Sequence, residues 1–115
     1  MISRYTRPEM EAVWAEPTKL MKWLEVELAA LDALARYNYI PKVVPARVRK
    51  KASFDVKQVK KIEESVQHDV IAFLSAVAKR VGAEGRFLHF GLTSSDILDT
   101  TLALQVREAS QLILR

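Results

Sequence analysis

Cysteine is absent from this 115-residue chain, so no disulfide framework holds it together, and the absence is compatible with the cytosol. Glycine and proline are scarce, at three and four residues. With so little to turn or break the chain, and with Leu, Ala, Glu, Lys and Val abundant, the expectation is an all-α fold of long helices joined by few tight turns. No uninterrupted apolar run approaches the roughly 20 residues of a membrane span, and Met1-Ile2-Ser3-Arg4-Tyr5 lacks the apolar run of a signal peptide. These absences predict a cytoplasmic protein with no membrane partner. Internal repeats and low-complexity segments are also missing. The formal charge of +4 is mild and suits anionic partners without demanding nucleic acid. What the chain has in quantity is apolar surface, 50% of its residues, enough for one modest core.

Residues 1–7 read as extended, and Pro8 opens a short helix through Trp14. Pro17 suits the first turn of a longer one, where its missing N–H costs nothing. Leu20, Leu24, Leu28, Leu31 and Leu34 follow helical spacing to about Tyr37, where Asn38 can stop the helix in a left-handed conformation and Pro41 keeps it from resuming. A short basic helix lies between Val43 and Ala52. Its arginines and lysines, with Lys57, Lys60 and Lys61, could form a nucleic-acid surface; the nearby Glu63 and Glu64 and the lack of interleaved aromatics read instead as a solvated face.

Asp55 reads as the next N-cap, with Gln58 as its reciprocal partner and Phe54 against Val59 as a hydrophobic staple. The apolar series from Val56 to Val81 permits one long helix, but Gln67-His68-Asp69 interrupts it. We expect a break there, with Asp69 capping a new helix to Arg80 and His68 turned outward, either free for a ligand or simply solvated. Gly82 and Gly85 then open a loop.

His89-Phe90-Gly91-Leu92-Thr93-Ser94-Ser95-Asp96 combines an imidazole, a glycine and three consecutive hydroxyls at a helix start. Thr93 with Asp96 makes a capping box, and the N–H groups and dipole of the helix end beside Ser94 and Ser95 suit an anion. The same pattern also fits an ordinary capped helix. Ile97, Leu98, Thr101, Leu102, Gln105, Ala109 and Leu112 trace its apolar stripe, which is still running at Arg115 and reads as a long helix cut short.

Arg4-Tyr5, Trp23-Leu24-Glu25-Val26-Glu27, Ala52-Ser53-Phe54-Asp55, His68-Asp69-Val70 and the His89–Asp96 segment stand in an order and spacing that resembles adenylosuccinate lyases. The last motif is shared across the fumarase and aspartase superfamily, cycloisomerases included; Arg4-Tyr5 with His68-Asp69 narrows the choice. The resemblance covers essentially all 115 residues, roughly the first quarter of such a chain. It implies an N-terminal helical domain over 1–93 and, over 94–115, the truncated start of a long central-bundle helix.

The implied reaction eliminates fumarate from adenylosuccinate to give AMP, and from succinyl-aminoimidazole-carboxamide ribotide, with no metal or organic cofactor, in a homotetramer. A base takes a proton beside a carboxylate and an acid protonates the departing nitrogen. By the resemblance, Arg4 and Tyr5 are a nucleotide-binding pair, Gln67, His68 and Asp69 a second substrate-binding segment, Thr93 and Ser94 a third, and His89 lies near the phosphate. His68 matches a residue regarded both as a candidate acid and as a positioning group, and we take the latter. The family's Thr-His segment and Gly-Ser-Ser-Ala-Met-Pro-type loop, which carry its principal catalytic histidine and its base, have no match in this sequence. These residues are therefore expected to bind substrate without performing the chemistry. The alternatives are another lyase or cycloisomerase of the superfamily, and a basic helical nucleic-acid-binding module.

Overall fold

The computed structural model describes residues 7–115, and every regular element among them is helical. In chain order these are α1 (Pro8–Trp14), α2 (Glu16–Arg36), α3 (Val44–Lys51), α4 (Val56–Val66), α5 (Asp69–Val81), a short 3-10 turn (Ala83–Phe87) and α6 (Ser94–Ile113). Pro8 and Pro17 both fall in first turns, as their missing N–H predicts. Among the described residues, no helix is long and apolar enough to cross a membrane.

The C-terminus of α2 shows how little sequence is needed to stop a helix. Asn38 adopts a φ of 65°. Its N–H then reaches Ala35 O at 3.1 Å and the N–H of Tyr39 reaches Leu34 O at 2.9 Å, the paired bonds of a Schellman motif that occupy carbonyls the helix cannot satisfy itself.

Helix α2 is the central strut, packing on α1, α3, α4 and α6, while α5 packs against α4, α3 and the 3-10 turn. Val70, Phe73, Val77 and Val81 recur at helical spacing along α5 and are all buried. Phe73 meets Trp23 of α2 at a ring-centroid distance of 5.6 Å and Phe54 edge-on at 5.4 Å. Burying one side chain of this kind stabilises by about 1.5–3 kcal/mol, so these rings fix α5 against α2. Gly85 lets the 3-10 turn approach: a Cβ there would sit 3.0 Å from both Cα and Cβ of Ala78.

Helix α6 lies along α1 and α2. Ile97, Thr101, Gln105 and Ala109, one row at four-residue spacing, are buried, whereas Leu98, Leu102 and Val106 in the adjacent row are exposed. The single apolar stripe read from sequence is thus two rows, of which only one is buried among the described residues. Gln105 Nε2 donates to Val13 O at 3.0 Å, supplying a carbonyl at the end of α1. Lys22 of α2 pairs with Glu108 of α6 and with Glu25. The hydrogen bond to Glu108, followed by the charge of Glu25, raises the lysine above its ordinary pKa against the opposing effect of burial.

Candidate functional site

The break expected at Gln67-His68-Asp69 exists, with a different capping residue. Gln67 ends α4 in a left-handed conformation, φ 54°, and His68 is extended. It is the ring of His68, not the carboxylate of Asp69, that caps α5: Nδ1 accepts the Ile71 N–H at 3.2 Å. Asp69 stands one residue inside, at the first helical position, with Oδ1 on the Val70 N–H at 2.7 Å. The cap settles the tautomer. An N–H can only donate, so Nδ1 must be bare, and the neutral imidazole carries its proton on Nε2.

That Nε2 lies 3.5 Å from Ser94 Oγ, a long contact in which the hydroxyl accepts. Ser94 is the first residue of α6, whose start has the form read from sequence: the Thr93 N–H donates to Asp96 Oδ2 at 2.9 Å and Thr93 Oγ1 accepts from the Ser95 N–H at 3.3 Å. The N-termini of α5 and α6 therefore converge, bringing together His68, Asp69, Thr93 and Ser94. The first N–H of each helix, on Asp69 and on Ser94, has no partner within its own helix by position. Two positive helix ends, a hydroxyl and an imidazole N–H make a surface suited to an anionic group, with the Asp69 carboxylate adding an acceptor beside it.

His89 is held separately. It occupies a left-handed conformation, φ 64°, in the turn between the 3-10 segment and α6. Its N–H donates to Glu27 Oε1 at 2.8 Å and its ring Nδ1 lies 2.6 Å from Glu27 Oε2. Glu27 is only 2% exposed. Glu27 stands in the Trp23–Glu27 motif but has no role assigned to it from sequence, although a signal was there: it falls between Trp23 and Leu31 at four-residue spacing, on the face of α2 that must be buried, and a buried carboxylate must find donors.

Arg4 and Tyr5 lie outside the described residues. The basic surface of α3 is partly neutralised: Arg49 makes a bidentate pair with Asp32 at 2.6 and 2.5 Å, and Arg47 lies 3.8 Å from Glu84. Among the described residues no group of three or more His, Asp or Glu is arranged to hold a metal ion.

No protein-family model matches the chain. Curated adenylosuccinate lyases do resemble it: that of Synechocystis is 51% identical over 114 residues, covering 99% of this chain. Those of Aquifex aeolicus and Bacillus subtilis are 49% and 42% identical and cover all of it. The chain is related to adenylosuccinate lyases along its whole length. It spans about a quarter of the length of these relatives, 26–27%. In shape it is similar to a crystal structure of a fumarate lyase from Mesorhizobium, with a TM-score of 0.79 over 86% of this chain and 24% of that one, at 24% identity. That likeness bears on the fold alone. The adenylosuccinate lyase relationship does not favour the nucleic-acid reading of α3, whose arginines are occupied by carboxylates.

Proposed function

We propose that this chain is the amino-terminal part of an adenylosuccinate lyase and forms one wall of its substrate site. The observation that carries this reading is the meeting of the α5 and α6 N-termini at His68 and Ser94, 3.5 Å apart. The relationship to enzymes of that name supports the substrate. In the complete enzyme the reaction is the elimination of fumarate from adenylosuccinate, giving AMP, and from succinyl-aminoimidazole-carboxamide ribotide.

Thr93 and Ser94, with the N–H groups at the start of α6, grip an anionic group of the substrate. Gln67, His68 and Asp69 form the adjoining segment. Because Nδ1 is occupied by the Ile71 N–H, His68 presents a donor at Nε2, which suits holding a substrate oxygen and leaves proton abstraction to another residue. Arg4 and Tyr5 take the phosphate, for which a guanidinium and a phenol are chemically apt, and His89 is assigned to the same group of the substrate by the resemblance. The base and the acid of the elimination are contributed by parts of the complete enzyme with no counterpart in this sequence. Residues 94–115 begin a helix of the core of a cytoplasmic homotetramer. The uncovered row Leu98, Leu102 and Val106 supports such an assembly.

The complete lyase is expected to release fumarate from adenylosuccinate, followed by the loss of substrate absorbance, and the 115-residue chain alone is expected to release none. Turnover by the purified chain would contradict the division of labour, and a complete enzyme inert toward adenylosuccinate would contradict the function.

A further inference from the structure

Glu27 is buried at 2% exposure on an otherwise apolar face of α2, and both of its oxygens are directed at one residue 62 positions away. Oε1 accepts the backbone N–H of His89 at 2.8 Å and Oε2 takes the ring Nδ1 at 2.6 Å. The grip is on a residue in the left-handed region, φ 64°, which is uncommon for residues other than glycine although histidine adopts it more readily than most. An ordinary turn would need only the backbone bond. The second bond fixes the ring as well, because a carboxylate facing Nδ1 requires a proton there. Nε2 remains the one ring nitrogen without a partner among the described residues.

We propose that Glu27 is a positioning residue for His89. It holds the imidazole in one orientation and one proton arrangement, so that only Nε2 can meet a ligand. This rests on the reading of His89 as a residue that faces the anionic end of the substrate. The arrangement is opposite to that at His68, where the Ile71 N–H donates to Nδ1 and so requires that nitrogen to be unprotonated. One histidine is set by a donor and the other by an acceptor, so Nε2 carries the proton in His68 and is bare in a neutral His89. Removing a carboxylate that orients a functional histidine typically costs about 10- to 100-fold in affinity or activity, a scale taken from histidines that bind metals.

Two measurements test this. In the wild-type chain with 15N-labelled histidine, two-bond 15N–1H spectra should show His89 protonated at Nδ1; a neutral ring protonated only at Nε2 overturns the proposal without any variant having to fold. In the complete lyase, Glu27→Gln, which keeps the volume, should raise KM for adenylosuccinate at least about 10-fold with a much smaller change in kcat. Combined with His89→Gln, it should add little further, since both changes remove the same interaction. If His89→Gln raises KM while Glu27→Gln leaves it at the wild-type value, or if the two effects multiply independently, the positioning role is wrong and the reading of His89 stands. If His89→Gln itself leaves KM unchanged, the reading of His89 fails, and the role of Glu27 in binding fails with it.

Discussion

His68 Nε2 and Ser94 Oγ lie 3.5 Å apart although 26 residues separate them in sequence. Each belongs to the first turn of its own helix or to its cap, so the contact is between two helix starts. Ser94 needs no histidine to begin α6, because Thr93 and Asp96 do that; His68 by contrast takes part directly in the start of α5, since its ring is the cap.

The capping role predicts how His68 variants behave. His68→Ala should destabilise the chain by about 1 kcal/mol, the usual cost of losing an N-cap side chain, and His68→Asn should recover most of it because an amide oxygen can accept the same N–H. Urea unfolding of the three proteins reads this directly. The stability recovered by asparagine should not be accompanied by recovery of activity in the complete lyase, where the ring Nε2–H is missing.

Thr93 and Ser94 should separate in the same way. Thr93→Val removes one half of the capping box and is expected to cost about 1 kcal/mol. Ser94→Ala leaves the box intact and should change stability by less than about 0.5 kcal/mol. In the complete enzyme, Ser94→Ala is expected to raise KM severalfold. An unchanged KM together with unchanged stability would remove Ser94 from the substrate site.

The pair Asp32 with Arg49 gives a pH dependence of known sign. The hydrogen bond from Arg49, helped by its charge, holds the Asp32 carboxyl below its ordinary pKa against the opposing effect of burial. A carboxyl depressed in the folded state stabilises above its unfolded pKa of about 3.9 and loses that contribution as pH falls through the lower folded value. Both side chains are nearly half exposed, so solvent screening keeps the contribution within about 0–1 kcal/mol. Asp32→Asn should therefore be slightly less stable than wild type at pH 7, and the difference should shrink below about pH 4. Unfolding curves at pH 7 and near pH 3 test this, and a difference that grows in acid would reverse the assignment.

Leu102 and Val106 are 51% and 48% exposed at four-residue spacing on α6. If this row is covered in a tetramer, Leu102→Glu with Val106→Glu should lower the mass of the complete lyase measured by light scattering, and activity should fall with it. The isolated chain should fold as before, because neither side chain is in its core. A double variant that remains tetrameric would place the subunit contact elsewhere.

Much of this fold was legible because its causes are local. Pro17, Asn38, Asp55 and the Thr93–Asp96 box act within a turn of their own position, so helix boundaries follow from them with few errors. Asp69 was misjudged as a cap because aspartate is the commoner choice; the extended backbone of His68, which places its Nδ1 over the Ile71 N–H, has no local sequence signature. The α6 stripe was overcounted for a related reason. Periodicity marks every apolar residue on a broad face, but which row is covered depends on where α1 and α2 lie.

The sequence by itself determined that the chain is helical, where most of its helices start and stop, and that the Thr93–Asp96 box opens the last of them. Only the tertiary structure decided which helix ends meet and what holds the histidines. The pairing of Glu27 with His89 and the approach of His68 to Ser94 span 62 and 26 residues. Such contacts are selected by the packing of Trp23 against Phe73 and of α6 against α2, where apolar burial acts without regard to distance along the chain. Caps and turns draw on bonds within a few residues, whereas the site draws on where the core sets rigid helices.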